Sequence, residues 1–408
     1  MMGTTMEIET PDFAVLDQAA VATPTDLRLV IGACIASGVS HLGSSTMPFQ
    51  ISALIDRFHI SASSAGMFGF FEILSLSIAM VAMLPLLRRL SYGRRAVLGA
   101  ALISIGHVLI YVGPPWLPWL WGCAIVGGTG YGIIFSAFIA GASGADNPDR
   151  VYSLACGGGL IVLVGTIMTL PWGAALFGPL GPFLSIAAVS CLLAPFLSYL
   201  GDTVPPSFRE AAGGRDSLGW GAFLLLAMWT GYSVGSSIVW SFADNIGRAI
   251  HVPEGVIVTL SSVGIVLGFF ANMLGAAIAG RVNRVVPLVA GILGTGLSCM
   301  LTALAWNTAS YCAGVVLYWI FVMIAYAYLL GAAAVLDRGG RVGTLGGGCD
   351  RIAYAIGAPI GGLIVDHGSY HMLGFAGVLS CIMLVPACMP AIARALRQSD
   401  ARLSFARG

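Results

Sequence analysis

Twelve long apolar runs, almost free of charge, leave this chain little choice of fold. They fall at about 29–54, 63–87, 96–113, 119–142, 151–176, 181–200, 218–243, 254–280, 285–305, 311–335, 345–366 and 371–392. A helix that crosses a bilayer takes roughly 20 apolar residues. The runs are continuous rather than alternating, and they exceed the ~10 residues of a barrel strand. In lipid each backbone polar group needs a partner within its own segment, which a helix supplies. The expected fold is therefore an all-α membrane protein with twelve transmembrane helices. Charged residues are only 9 % of the 408, against roughly 25 % in soluble domains.

All 19 basic residues are Arg, and Lys is absent. A Walker phosphate loop or a Schiff-base enzyme needs Lys, so both are excluded. With a net charge of +1, no bulk charge attracts nucleic acid. The nine Cys are odd in number, without CxxC or Cys/His ligand spacing. Neither disulfide, metal ion nor cofactor is expected. Residues 1–26 are polar and acidic rather than a basic region leading into an apolar core, so they read as a tail and not a signal peptide. The run GGTGYG (127–132) lies inside a span with no strand before it, which excludes a nucleotide loop.

The arginines set the orientation. With both ends in the cytoplasm, 16 of 19 lie on the cytoplasmic side: Arg28, Arg88, Arg89, Arg94, Arg95, Arg150, Arg209, Arg215, Arg281, Arg284, Arg338, Arg341, Arg394, Arg397, Arg402 and Arg407. The positive-inside rule predicts such a bias, and an odd helix count would scramble it. The expected location is the inner membrane, with both termini cytoplasmic. The segment 201–217, GDTVPPSFREAAGGRDS, has linker composition. It divides the chain into a tail (1–26), a six-helix bundle (27–200), the linker, a second six-helix bundle (218–393) and a tail (394–408).

The halves echo one another. SGVSHLGSS (37–45) in the first run matches TGYSVGSS (230–237) in the seventh. Ser45 precedes His59 by the same 14 residues that separate Ser237 from His251, at an offset of 192. RVYSLACGGG (150–159) opens the fifth run and RVGTLGGG (341–348) the eleventh; Pro171 and Pro359 follow. Internal repeats of this kind mark secondary transporters. On this topology the chain resembles the major facilitator superfamily over nearly its whole length. The family's loop between helices two and three usually reads GxLaDRxGRR. Here MLPLLRRLSYGRR (83–95) keeps Gly93, Arg94 and Arg95, with Leu90 in place of the Asp. The helix-four Arg and the helix-five Gly-Pro pair of some branches are absent, so no subfamily is chosen. The resemblance implies two pseudo-symmetric six-helix bundles that rock about a central site lined by helices one and seven. It also makes Arg94 and Arg95 candidates for a gate between the bundles.

Several polar residues could carry chemistry. Glu72 lies about 14 Å into the second run. A carboxylate at such depth faces a cavity, pairs with a cation or holds a proton; the readings are proton coupling or a structural hydrogen bond. His41 stands in the polar phrase of the first run, and its ordinary titration range suits a proton carrier or ligand; the bland alternative is a neutral ring bonded to Ser. His107 reads as packing. Arg351 offers a planar fork for a carboxylate or phosphate. Its neighbour Asp350 is a gate or pairing partner, and both could instead reach the cytoplasmic interface. Ser45 and Ser237, together with Tyr131, Tyr232, Tyr326 and Asn272, are candidate ligand contacts. Asp244 reads as a solvated cap. The expected activity is proton-coupled symport of a small organic solute, an apolar or aromatic carboxylate, by a monomer in membrane lipid. Drug or metabolite efflux by antiport, and a non-transporting receptor, are the alternatives. No nucleophile–base or HExxH pattern points to an enzyme.

Overall fold

The computed structural model describes residues 27–86, 90–143, 145, 148–201, 219–278, 282–336 and 341–405. The tail 1–26, the linker beyond Gly201, and Arg88, Arg89, Arg209, Arg215, Arg281, Arg338 and Arg407 lie outside them. Among the described residues fifteen α-helices follow in order. The first half holds α1 (Leu27–Ser40), α2 (Leu42–Phe58), α3 (Ala62–Leu86), α4 (Tyr92–Val112), α5 (Leu117–Ser143), α6 (Pro148–Phe177) and α7 (Gly181–Leu197). In the second half come α8 (Trp220–Trp240), α9 (Ala243–Ala249), α10 (Glu254–Ile278), α11 (Val285–Ala303), α12 (Thr308–Leu336), α13 (Arg341–His367), α14 (Tyr370–Ile382) and α15 (Val385–Phe405). The segment read as a tail from 394 is thus helical as far as Phe405.

Among the described residues, 11 stretches are long and apolar enough to cross a bilayer, α1 and α2 counting together as Leu27–Phe58. Twelve were expected. The exception is α13, which is long enough at 27 residues. Its glycine run Gly346–Gly348 and the pair Asp350–Arg351 dilute its apolar content, and charges at helix centre are the costliest residues for insertion.

Three of the apolar runs are interrupted, and the first shows why. Ser40 Oγ and His41 Nδ1 both donate to the carbonyl of Ser37, at 3.0 and 2.7 Å. Side-chain bonds of this kind compete with the helical ladder, and the helix restarts at Leu42. Further along, Pro48 lies inside α2. Proline lacks the N–H that would bond the carbonyl four residues back. That carbonyl, of Ser44, instead accepts from Trp240 Nε1 at 3.4 Å, a bond between the two halves.

The packing repeats itself. In the first half α4 lies against α5 and α7, α3 against α5, and α1 against α6. The corresponding pairs of the second half are α11 with α12 and α14, α10 with α12, and α8 with α13. Across the halves α3 packs on α13 and, in the matching pair, α6 on α10. The histidines that mark the sequence repeat take the same conformation. His59 and His251 have φ of 51° and 61°, the only non-glycine residues with positive φ among those described. His59 ends α2 in the left-handed cap geometry.

Glycines set the closest approaches. A Cβ on Gly128 would lie 2.0 Å from the Glu72 carbonyl and 2.1 Å from Ser75 Oγ, so α5 can meet α3 only without a side chain there. Gly128→Ala is expected to destabilise the protein by about 1–3 kcal/mol, as overpacking does. A lowered melting temperature in detergent checks this. Between the halves, a Cβ on Gly66 of α3 would lie 2.5 Å from the Ala358 carbonyl of α13.

Candidate functional site

A cavity of about 300 Å³ lies between the halves. Its walls come from α1, the His41 break and α2, from α6, and from α8, α10, α12 and α13. The break matters because it turns His41 and Ser44 to the cavity within one turn. His41 Nδ1 is committed to the Ser37 carbonyl. The neutral ring therefore presents Nε2 as an acceptor. The ring packs in a T-shaped arrangement with Phe135, 5.4 Å between centroids.

One wall is aromatic. Trp240 stacks on Tyr318 at 4.9 Å and 3°, and Trp319 stands edge-on to Trp240 at 5.0 Å. Tyr318 shares a 2.9 Å hydrogen bond with Ser236. Tyr326 lies edge-on to Trp229 at 5.9 Å. Tyr232 donates to the Val322 carbonyl at 3.4 Å. Among the described residues the buried Trp319 indole N–H has no hydrogen-bond partner. These rings hold their positions through one another, which suits a flat or apolar ligand body.

Charge enters from α13. Asp350 Oδ1 accepts from Trp229 Nε1 at 3.0 Å and from Ser233 Oγ at 2.5 Å. Arg351, one residue on, makes no ion pair with it. Its guanidinium lies 5.8 Å from the centroid of the Phe135 ring. Among the described residues no carboxylate forms an ion pair with it. The cavity thus holds a carboxylate whose hydrogen bonds are partly met and, among the described residues, a guanidinium without an ion-pair partner, whose fork is open to an anionic group.

The sequence candidates divide. His41, Ser45, Tyr232, Asn272, Tyr326, Asp350 and Arg351 all line the cavity. Ser237 does not: its hydroxyl donates to the Tyr354 carbonyl at 2.6 Å and ties α8 to α13. Tyr131 is fully buried inside the first half, with its hydroxyl 3.4 Å from His107 Nε2. Glu72 is also away from the cavity. It is 0 % exposed, and its Oε1 lies 3.7 Å from His107 Nε2. His107, expected to pack only, is thus its partner. Arg95 is buried in the first half, donating to the Leu90 carbonyl at 3.0 Å and lying over Tyr92. Arg94 is exposed. Tyr354, absent from the sequence candidates, lines the cavity. It follows Asp350 by four residues, one helical turn, and that spacing was the available signal.

The end of the molecule away from Leu27 and Arg397 is tied shut. Arg248 of α9 reaches Asp56 of α2 at 2.8 Å. Asp366 at the end of α13 accepts from the backbone N–H groups of Ala62 and Ser63 at 2.8 and 3.0 Å. Asp244, expected to be a solvated cap, is buried at 1 % exposure and pairs with Arg248 at 2.8 Å. The break at Ser241–Phe242 folds α9 inward against α2, which removes Asp244 from water.

No protein-family profile matches the sequence, and no curated sequence does. Solved structures do match. The nucleoside transporter NupG is 14 % identical, with a TM-score of 0.66 over 89 % of this chain and 98 % of that one. A peptide-bound transporter of the POT family is 13 % identical, with a TM-score of 0.69 over 89 % and 96 %. The inward-open xylose transporter XylE from E. coli is 14 % identical, with a TM-score of 0.66 over 88 % and 94 %. Paired helix packing, the repeated positive-φ histidines and these likenesses agree on the architecture: the chain has the major facilitator fold.

Proposed function

We propose that this chain is a secondary active transporter, and not an enzyme, that carries a small organic anion with an apolar or aromatic body. In this reading α13 completes twelve crossings, arranged as two six-helix bundles (27–200 and 218–393) joined by 201–217. Both termini face the cytoplasm of an inner membrane, as the arginine distribution supports. The observation that carries the proposal is Arg351: a cation without a carboxylate partner among the described residues, set beside an aromatic wall in a cavity between the halves. The solute's carboxylate takes the guanidinium fork, and its body lies against Tyr326, Tyr318 and Trp240. Rocking of the halves then exposes the cavity to each side in turn. A proton travels with the solute, so symport is the favoured mode. Nucleosides, a peptide and xylose are the solutes named for the similar transporters; an organic anion is the departure that Arg351 supports.

The test is uptake into vesicles reconstituted with the full chain. Radiolabelled hippurate serves as probe, because its polar amide slows passive entry, and empty vesicles set the background. Protein-dependent uptake should rise when the outside is made acid. Binding without flux would instead mark a receptor, and uptake that rises with the gradient reversed would mark an antiporter.

A further inference from the structure

We infer that Glu72 and His107 together form the proton-binding site, and that this site lies behind the cavity wall rather than in it. The inference rests on the proton-coupled reading above. Glu72 and His107 are 0 % and 1 % exposed, 3.7 Å apart, and among the described residues neither carboxylate oxygen of Glu72 has a hydrogen-bond partner. His107 Nδ1 donates to the Ile103 carbonyl at 2.9 Å, so the neutral ring offers Nε2 towards Glu72. One proton held by the pair, on the carboxyl of Glu72 or on Nε2 of His107, makes it neutral. Its departure to water leaves a carboxylate and a neutral imidazole, with a net charge of −1.

Among the described residues nothing fixed nearby compensates that charge. From α2 the neighbour is the neutral amide of Gln50, which donates to Thr46 at 2.9 Å. From α5 it is the Tyr131 phenol, and from α4 His107 itself. Along α13, which packs on the same helix, Asp366 is held by Ala62 and Ser63, while Asp350, Arg351 and Tyr354 line the cavity. An uncompensated charge in the bilayer interior is costly. The proton-free state therefore requires a rearrangement that lets water in, which is the property a coupling site needs.

The geometry also supplies the connection to the solute. A Cβ on Gly43 would lie 2.9 Å from the Tyr131 ring and 3.3 Å from Glu72 Oε2. The backbone of α2 at Gly43 is thus the cover over the pair. Two residues earlier stands His41, at the helix break and facing the cavity. A solute that moves the break moves the cover. Glu72 also sits on α3, the helix by which the first half grips α13.

The experiment compares two modes of hippurate transport in vesicles carrying the full chain: accumulation driven by a pH gradient, and exchange of labelled for unlabelled hippurate at equal pH. Glu72→Gln and His107→Gln should each lose accumulation beyond the level that exchange alone supports. In difference infrared spectra, a protonated-carboxyl band that moves with pH should be missing in Glu72→Gln and shifted in His107→Gln. Where Glu72→Gln is not recovered folded, His107→Gln carries the comparison alone. Gradient-driven accumulation in these variants at the wild-type level overturns the assignment. An equal loss of both modes, with the band unchanged, also overturns it, because it marks a structural pair. Wild-type exchange without any dependence on the gradient removes the proton-coupled reading itself, a result distinct from misplacing the site.

Discussion

Arg351→Ala is expected to weaken binding of aromatic carboxylates by about 10- to 100-fold, from the ~1.5–3 kcal/mol of hydrogen bonds to a charged group. Neutral aromatic ligands should be affected far less, because the wall of Trp240, Tyr318 and Tyr326 is untouched. The variant should fold. Removing Arg351 leaves no buried anion stranded, since Asp350 draws its bonds from Trp229 and Ser233. The lost contact with Phe135, at 5.8 Å, is worth about 0.5–1 kcal/mol at most positions of this kind. Arg351→Lys keeps the charge and loses the fork, so it should recover only part of the affinity. The measurement is ligand-dependent thermal stabilisation of the purified protein, which scales with ligand concentration over its dissociation constant. Equal losses for hippurate and for its uncharged amide would show that Arg351 supports the cavity's shape and does not read charge.

The sequence disclosed order along the chain far better than the direction of a side chain. Apolar runs located the helices, and the offset of 192 between GSS phrases located the repeat, because both are properties of order along the chain. Which way a side chain points is different. Helices apolar all round carry no polar stripe from which to read a face. Tyr131 was therefore expected at the cavity and lies inside the first half, Glu72 was left open between a cavity and a structural partner, and Ser237 turned to α13 instead. His41 and Arg351 were legible because each stands among small or glycine residues, where a large polar side chain has few other destinations. The breaks at His41 and at Ser241–Phe242 were invisible. They depend on side-chain bonds back to the backbone and on packing between halves, and the second one hid the burial of Asp244.

That burial makes Arg248→Ala the largest expected conformational effect. Arg248 holds three carboxylates: Asp244 and Asp56 at 2.8 Å and Glu254 at 3.7 Å. Asp56 and Glu254 are 43 % and 48 % exposed, so each of those pairs is worth ~1 kcal/mol or less. The Asp244 side chain is 0 % exposed. Stripping its partner strands a buried charge, which costs about 3 kcal/mol or more. Opening this end of the molecule to water relieves that cost, so the equilibrium should move towards the opened state by roughly 100-fold. Position sharpens the argument. Asp56 and Arg248 are separated by 192 residues, the repeat offset, so they are equivalent positions in the two halves. A contact between equivalent positions lies where the halves meet about their internal symmetry, which is where a rocking motion must part them. Backbone hydrogen exchange across α9 and the end of α2 reads the result. Arg248→Ala should accelerate exchange there strongly, Asp56→Asn only slightly, and Asp244→Asn combined with Arg248→Ala should restore much of the protection by removing the stranded charge. Unchanged exchange in Arg248→Ala would mean that the apolar contacts of α2 with α9 and of α3 with α13 keep this end closed without help from charge.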